Sequence, residues 1–197
     1  MTSARSPAAQ RNRTAIWTTL APFLPASGRV LMIAEGTGEH AAYFAAQAPQ
    51  LDWLPSDPGP EARSIIAERR KEEGLTNLLA PIDLNAAADS WPVDEAVAIT
   101  CINMVHISPW SATEGLFRGA SRLLPDGASL YLYGPYRRGS RPLEPSNERF
   151  DESLRARDAA WGLREVDEVV ALADTNHFSL ALLEEMPANN LSLVFRR

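Results

Sequence analysis

Short runs of hydrophobic residues alternate with longer amphipathic stretches along the first part of the chain. Each run is bounded by polar or turn-forming residues, and this pattern is typical of buried strands. The run Ala96–Ile102 is apolar except for Thr100, as in strands that are buried on both faces of a sheet. The strands predicted for this part are residues 30–33, Leu51–Pro55, Leu78–Ile82, Ala96–Ile102 and Ser129–Tyr133.

Amphipathic stretches between the runs predict helices, and strands that alternate with helices indicate a parallel sheet with right-handed crossovers. Ser146 and Asn147 are expected to cap a further helix in the second half of the chain. The other predicted helices are Thr14–Leu24, Glu39–Ala48, Ala62–Glu73 and Ala112–Leu124.

The end of the chain departs from this alternation. Phe178–Glu185 and Leu191–Phe195 are predicted strands joined by five residues, which is a suitable length for a hairpin. We therefore expect an α/β fold with one mostly parallel sheet that ends in an antiparallel hairpin. Residues 1–197 are expected to form a single domain, in which residues 1–10 are flexible and residues 137–161 form a lid or substrate region.

Composition narrows the possible partners. The 197 residues are 45% hydrophobic and 22% charged, with a formal net charge of −6. An acidic chain without a cluster of Lys and Arg lacks the electrostatic footprint of a nucleic-acid-binding protein. Its apolar segments are too short to span a membrane, and the lone cysteine, Cys101, lies in an apolar run. We expect a cytoplasmic protein without a nucleic-acid or membrane partner, with no metal site, and with a homodimer as one open option.

A glycine turn follows the first predicted strand. Gly36 and Gly38 allow a tight bend and let a ligand approach the backbone, and the helix after the turn presents its first amide groups there. This is the layout of a nucleotide or nucleoside site at the carboxyl end of a parallel strand. The alternative is a glycine-rich connection that binds nothing, since short glycine motifs are weak signals.

Two acidic residues end the next two predicted strands. Asp57 is placed to accept hydrogen bonds from ribose hydroxyls, and Asp83 to accept one from a base. Each acid alone is more often a turn residue at the end of a strand, but together with the glycine turn the two predict a nucleoside pocket. A third glycine, as in NAD sites, and a Gly-Lys-Ser/Thr phosphate loop are both missing. The best remaining ligand is S-adenosylmethionine (SAM).

The chain also resembles a family of small methyltransferase-like proteins of bacteria and animals, whose animal members are called methyltransferase-like protein twenty-six. The resemblance implies the seven-stranded, Rossmann-like fold of class I SAM-dependent methyltransferases. It covers nearly the whole chain, and its segments include IAEGTGEHAAYFA at Ile33–Ala45, PSD at Pro55–Asp57, NMVHISPW at Asn103–Trp110, LYGPY at Leu132–Tyr136, PSNERFDESLRARDAAWG at Pro145–Gly162 and MPANNLSLVFRR at Met186–Arg197.

One position departs from the family pattern. Where this chain has Met32, the pattern usually has an acid, which in many related enzymes contacts the amino group of the cofactor. Either Glu35 or Glu39 is close enough in sequence to replace it. The residues expected to bind the cofactor are Ala34, Gly36, Gly38, Asp57, Asp83, Leu84 and Asn103.

Candidates for catalysis follow the later strands. His106 is a candidate general base because the ordinary pKa of histidine lies near neutrality, although a buried structural histidine is an equal alternative. Tyr136 and Asp151 are the other catalytic candidates. For Trp110, packing is the alternative to a role in binding. The predicted substrate-binding residues are Asn12, Trp110, Tyr133, Asn147 and Asn189.

Three functions remain open from the sequence. The first is a methyltransferase that acts on a small molecule with SAM as cofactor and S-adenosylhomocysteine (SAH) as product. The second is an enzyme that binds SAM for other sulfonium chemistry. The third is a binding or assembly protein without catalysis, for which Met32 is the motive.

Overall fold

The computed structural model describes residues 6–139 and 141–197, and its core is a six-stranded sheet. The strand order is β2-β1-β3-β4-β6-β5. The first four strands are parallel, and β6 runs antiparallel to both β4 and β5. The predicted α/β architecture with its terminal hairpin is therefore confirmed. The strands are β1 (Gly28–Ile33), β2 (Leu51–Pro55), β3 (Ala98–Ile102), β4 (Ser129–Gly134), β5 (Ser179–Met186) and β6 (Asn190–Arg196).

The predicted strand Leu78–Ile82 is not a strand, and the prediction of seven strands is wrong for the part of the chain described. This segment meets the edge of β2 only through isolated parallel bridges of Leu78 with Trp53 and of Ile82 with Ser56. Pro81 lies between the two bridges, and a proline has no N–H to give to a continuous ladder. The segment therefore covers the sheet edge without extending it.

Helices flank the sheet, and α1 begins earlier than expected. Ser6 caps it by accepting a hydrogen bond from the Ala9 N–H at 3.3 Å, and Pro7 occupies the first helical position, which suits a residue without an N–H. Residues 7–10 thus form the first turn of a helix and not a flexible terminus, whereas residues 1–5 lie outside the described residues. The helices are α1 (Pro7–Leu20), α2 (Glu39–Gln47), α3 (Pro60–Glu73), α4 (Trp110–Leu123), α5 (Pro145–Arg157) and α6 (Val166–Thr175).

Two further details differ from the prediction. The cap of α5 is Glu144, because Pro145 starts the helix and places Ser146 and Asn147 inside its first turn. Helix α6 was not predicted, although its first turn carries the acidic residues that favour a helix start. It follows β4 in the chain and covers the same face of the sheet as α4.

The core has two layers, one on each face of the sheet. Along β1, Leu31 and Ile33 pack in one layer, which includes α4 and α6. Val30 and Met32 pack in the other, which includes α1 and α2. Because both faces are covered, every residue of β3 and β4 is buried. In the described residues, no helix is both long and apolar enough to span a lipid bilayer.

Candidate functional site

The turn after β1 is held in an unusual backbone conformation. Ala34, Gly36 and Gly38 all have positive φ angles, of 56°, 62° and 69°. The N–H of Glu35 donates to the carbonyl of Ser56 at 3.0 Å, and the Ser56 N–H donates to the carbonyl of Met32 at 2.8 Å. The turn is thus bonded to the end of the neighbouring strand, and it includes an alanine in a region that costs an L-residue about 1–2 kcal/mol.

The two glycines of the turn serve different ends. A Cβ at Gly38 would lie 3.2 Å from Cγ1 of Ile66, so this glycine allows α3 to pack closely. A Cβ at Gly36 would meet nothing within 4 Å. Gly36 therefore borders open space, which leaves its backbone accessible to a ligand, whereas Gly38 has a packing role.

Asp57 is fixed by backbone hydrogen bonds to both of its carboxylate oxygens. Oδ2 accepts from the Gly36 N–H at 3.0 Å, and Oδ1 accepts from the Gly59 N–H at 2.8 Å. A carboxylate offers about four acceptor positions, so acceptor capacity remains on both oxygens. Asp57 is a rigid acceptor beside the glycine turn.

A cleft of about 580 Å³ opens at the carboxyl ends of β1 and β3. We call it the main cleft. It brings together five of the predicted cofactor residues, Ala34, Gly36, Asp57, Leu84 and Asn103, while Gly38 lies outside the lining. Asn85 and Trp161 also line it and were missed from the sequence. The remaining lining residues are mostly apolar or small: Ile33, Pro58, Ala86, Ala87, Met104, Ile107, Ser108, Pro109, Ser111 and Ala112.

Asp83 does not line the main cleft. Its side chain is 69% exposed, and Oδ2 pairs with Nη2 of Arg63 at 3.1 Å. Arg63 also donates to the carbonyls of Asp57 and Pro58, at 2.9 and 2.8 Å. This arginine therefore holds Asp83 on the outer side of the loop, and the predicted role of Asp83 in contacting a base is not supported. Asn85, two residues later, is the polar side chain that the loop contributes to the lining.

The two acids considered as substitutes for the missing one lie in different surroundings. Glu39 is buried and engaged, with Oε1 3.6 Å from Nη1 of Arg69 and 3.3 Å from Nε2 of Gln10. Glu35 has a buried carboxylate oxygen, Oε2, that has no hydrogen-bond partner among the described residues. Burial raises the pKa of Glu35 to about 8, and the negative charge of Asp57 adds to the rise. A hydrogen bond from the Ala41 N–H and the positive charge of Arg69 act in the opposite direction.

Met32 itself is buried in the core layer that includes α1 and α2. Its side chain has no polar group to offer a ligand, and its apolar neighbours account for its presence. Both acids keep one buried carboxylate oxygen, Oε2, without a hydrogen-bond partner among the described residues, but Glu39 also pairs with Arg69 through Oε1. Glu35 directly follows Ala34 of the cleft lining and is the acid considered further.

His106 lies at a close contact between two loops. A Cβ on Gly134 would lie 3.0 Å from Nδ1 of His106 and 3.7 Å from Oδ1 of Asn103, so the glycine makes room for both side chains. The His106 ring also meets Phe150 of α5 edge to face at 5.6 Å. Burial and the nearby Arg164 lower the pKa of His106 to about 4. Its ring is neutral at neutral pH and is able to accept a proton.

Three predicted residues meet at a second cavity of about 320 Å³, between the loop after β4, the start of α5 and the β5–β6 hairpin. Tyr136, Asn147 and Asn189 all line it. The Asn147 amide donates to the Asn189 carbonyl at 2.9 Å, which ties the helix to the hairpin turn. The Tyr136 hydroxyl is buried without a hydrogen-bond partner among the described residues, and burial raises its pKa.

Asn12 and Tyr133 form a separate group with His40, a residue that sequence reasoning missed. Asn12 Oδ1 lies 2.8 Å from His40 Nε2. Burial raises the pKa of Tyr133, and the nearby Asn12 side chain opposes the rise. Burial, with Arg13 nearby, lowers the pKa of His40 to about 4. The only sequence signal for His40 was its place in the first turn after the glycines.

The last two predicted residues line neither cavity. Asp151 accepts from Arg137 at 2.7 Å, from Arg155 at 3.1 Å and from the Leu163 N–H at 2.7 Å. Burial opposes ionisation of this carboxyl, but these hydrogen bonds outweigh it and lower its pKa. Trp110 packs against the core under the Arg164 guanidinium, 5.8 Å from the ring centre. Both positions are explained by packing and bonding within the fold.

The fold is an α/β fold with a mostly parallel sheet, and the main cleft lies at the carboxyl ends of two of its central strands. The chain belongs to the family described as "Protein of unknown function (DUF938)", which matches residues 3–197. Within residues 6–139 and 141–197, no three His, Cys, Asp or Glu side chains are grouped so as to hold a metal ion.

Solved methyltransferases share this architecture. An O-methyltransferase family protein from Burkholderia thailandensis aligns with a TM-score of 0.82 at 13% identity, over 96% of this chain and 56% of that one. PigF, solved with SAH, aligns with a TM-score of 0.74 at 13% identity, over 86% of this chain and 50% of that one. An O-methyltransferase family 2 protein from Planctomyces limnophilus DSM 3776, solved with apigenin, aligns with a TM-score of 0.76 at 17% identity, over 96% of this chain and 60% of that one. The chain thus spans 50–60% of the length of these proteins, and the likeness is one of fold.

Proposed function

We propose that this protein is a SAM-dependent methyltransferase that acts on a small molecule. The observation that carries the proposal is the hydrogen bond from the Gly36 N–H to Asp57, beside the main cleft. It joins the turn after β1 to the end of β2, where an α/β sheet of this kind binds a nucleoside. We also propose that the protein is related to the methyltransferase-like protein twenty-six family, which its sequence resembles.

The residues of the main cleft fit the cofactor. Its volume of about 580 Å³ lies within the range of about 300–1,000 Å³ usual for small-molecule sites. The free acceptor positions of Asp57 suit the two ribose hydroxyls, and Leu84 offers an apolar surface to the base. Asn85 and Asn103 supply amide groups for its polar edges. The neighbour PigF, which was solved with SAH, has the same fold.

Bound SAM supplies an activated methyl group on its sulfonium, and the protein has mainly to align the acceptor with it. A hydroxyl acceptor would receive that methyl group on its oxygen and would lose its proton. We assign His106 to receive that proton: it lines neither cavity, but its ring and the Asn103 side chain of the main cleft both lie against Gly134. Burial keeps the ring neutral and makes it a weak base, so it would pass the proton on and not retain it.

We assign the acceptor to the region of the second cavity, with Tyr136, Asn147 and Asn189 as contacts. The segment 137–161 contributes Asn147 to this region, and Asp151 anchors the segment by bonding Arg137 and Leu163. Asn12 and Tyr133, predicted to bind the substrate, line neither cavity and are given no contact with it here. Trp110 and Asp151 would act on the site by positioning other residues.

A second candidate function is a binding protein without methyl transfer, and Met32 is the observation in its favour. A cofactor-binding enzyme of other sulfonium chemistry would share the cleft but yield no methylated product. Two measurements therefore distinguish the three functions. Cofactor binding distinguishes the two enzymes from the binding protein, and product analysis distinguishes the two enzymes from each other.

Calorimetric titration with SAM and with SAH tests the proposal first. We expect micromolar dissociation constants, and for Asp57→Ala an affinity reduced at least about tenfold, since ribose hydrogen bonds to a charged group contribute about 1.5–3 kcal/mol. Asp83→Ala is the matched control and should bind like the unmodified protein. An absence of binding at millimolar SAM and SAH would overturn the proposal in favour of the binding protein. Mass spectrometry of products then separates methyl transfer from other sulfonium chemistry.

A further inference from the structure

The charged side chains that line the second cavity have a net charge of zero. Arg138 and Arg141 contribute two positive charges to its lining, and Glu144 and Glu185 contribute two negative ones. Glu185 Oε1 accepts from Arg138 Nη2 at 2.6 Å and lies 3.6 Å from Arg141 Nη1. The two arginines lower the pKa of Glu185, first through the hydrogen bond from Arg138, so that the carboxylate stays ionised. The cavity as a whole favours neither an anion nor a cation.

The asparagine amides of the cavity keep free hydrogen-bonding capacity. The side-chain NH2 groups of Asn147, Asn189 and Asn190 donate to the Asn189 carbonyl, to the Ser146 hydroxyl, and to the carbonyls of Pro187 and Ala188, respectively. Among the residues described, none donates to the side-chain carbonyl oxygens of these three asparagines, and Asn147 and Asn189 each use only one of their two N–H groups. The free amide groups therefore both accept and donate, which suits a ligand with hydroxyl groups, since a hydroxyl also does both.

The size and the remaining lining limit the ligand further. A cavity of about 150 Å³ is enough to hold benzene, so about 320 Å³ accommodates a molecule of one or two rings. Leu143, Met186 and Leu191 give the lining apolar patches against which a ring can pack. Neutral charge, hydrogen-bond donors and a ring-sized body are the requirements.

We propose that the second cavity binds a neutral molecule of one or two rings that carries hydroxyl groups, and that Glu185 excludes carboxylates by neutralising Arg138 and Arg141. This inference rests on the proposed function only in so far as the bound molecule is the methyl acceptor. The asparagine oxygens accept from its hydroxyls, and the apolar patches hold its ring. Glu185 is a specificity-determining residue, because without its charge the two arginines would present a carboxylate-binding pair.

The test compares three ring-sized probes of different charge, resorcinol, benzoate and benzylamine, by 1H–15N NMR titration with and without saturating SAH. We expect resorcinol to bind at least about fivefold more tightly than the two charged probes, and to shift the side-chain amide signals of Asn147 and Asn189. The Glu185→Gln variant should bind benzoate about five- to tenfold more tightly than the unmodified protein and resorcinol almost as before, since the gain is that of charge-assisted hydrogen bonds.

Glu184→Gln is the matched control, because Glu184 precedes Glu185 on β5 but accepts from Thr19 at 2.9 Å and lies outside the cavity lining. It should leave the ranking of the probes unchanged. The inference is overturned if benzoate or benzylamine binds best to the unmodified protein, if resorcinol shifts no amide of the cavity at 10 mM, or if Glu185→Gln leaves benzoate affinity as it was. Failure of SAH to bind counts against the proposed function alone, since the probes are also ranked without it.

Discussion

Asn12 on α1 and His40 on α2 share a hydrogen bond, with Oδ1 and Nε2 2.8 Å apart. The pKa of His40 is lowered to about 4 by burial and by Arg13, so the neutral ring donates from Nε2 to the amide oxygen at neutral pH. The Asn12 side chain also lies near Tyr133 of β4, where it opposes the rise in the pKa of Tyr133 caused by burial. One side chain from the first helix is thus hydrogen-bonded to the helix that follows the glycine turn.

Asn12→Ala should lower the free energy of unfolding by about 1–3 kcal/mol, because it leaves the buried His40 donor without an acceptor. Urea unfolding at pH 7 measures the change. Thr14→Ala is the control, since Thr14 is exposed and makes only a 3.3 Å contact with the Tyr43 hydroxyl. Equal effects of the two substitutions would show that the link is energetically unimportant.

The buried Glu35 predicts a pH dependence of stability. Its pKa rises from 4.5 to about 8 on folding, mainly through burial. Between these values the unfolded chain has released the proton while the folded protein keeps it, so stability falls as the pH rises through this window and levels off above about 8. Glu35→Gln removes this slope and should stabilise the protein at pH 8 by on the order of 2–4 kcal/mol.

Urea unfolding at pH 5, 6.5 and 8 measures this effect. The exposed Glu68 on α3 provides the control, because Glu68→Gln should retain the slope of the unmodified protein. If Glu35→Gln and the unmodified protein lose stability in parallel with pH, the slope arises from another group.

Glu35 also predicts a specific change in ligand affinity, if it takes the place of the acid missing at Met32. SAH carries an amino-acid part with an ammonium group, and 5′-methylthioadenosine lacks that part. Above about pH 8, where Glu35 is ionised, Glu35→Gln should weaken the binding of SAH about tenfold, the usual range for a charge-assisted hydrogen bond, and leave the binding of 5′-methylthioadenosine unchanged. Calorimetry on both ligands measures the difference.

Glu39→Gln is the control in this comparison, because Glu39 is engaged by Arg69 and Gln10. A loss of affinity for both ligands alike in Glu35→Gln would indicate damage to the turn, and no loss for either would leave the ammonium to other residues.

The alanine of the glycine turn predicts a stabilising substitution. Ala34 has a φ of 56°, a conformation that glycine adopts without steric cost. Ala34→Gly should therefore raise the melting temperature, or at least leave it unchanged, with a gain of up to about 1 kcal/mol after the entropy of the added glycine. Ala67→Gly, inside α3, should lower stability by about 1 kcal/mol. Similar losses in both variants would contradict the strain inferred at Ala34.

Local patterns in the sequence determined most of the fold. Continuous apolar runs predicted four strands of the parallel part, and the five-residue connection predicted the hairpin. The failures arose where the pattern is ambiguous. Leu78–Ile82 has the hydrophobicity of a strand, but Pro81 has no N–H to give to a continuous ladder. Helix α6 was not predicted, although it is no shorter than α2, which was.

The candidate site divides in the same way. The glycine turn, Asp57 and Asn103 were predictable because each follows a strand, and the carboxyl ends of parallel strands meet at one edge. The sequence could not decide where side chains of equal chemistry point. Asp57 lies beside the turn because the Gly36 and Gly59 amides hold it there, whereas Arg63 draws Asp83 outward.

Contacts between distant segments were decided by the tertiary structure alone. His40 meets Asn12 across 28 positions, Asn147 meets Asn189 across 42, and Trp161 reaches the main cleft from beyond α5. Such contacts depend on how whole helices pack on the sheet, and a local pattern carries no record of that packing. The sequence by itself therefore determined the sheet and the position of the glycine turn. The packing of α1, α5 and the hairpin decided which polar side chains surround the second cavity.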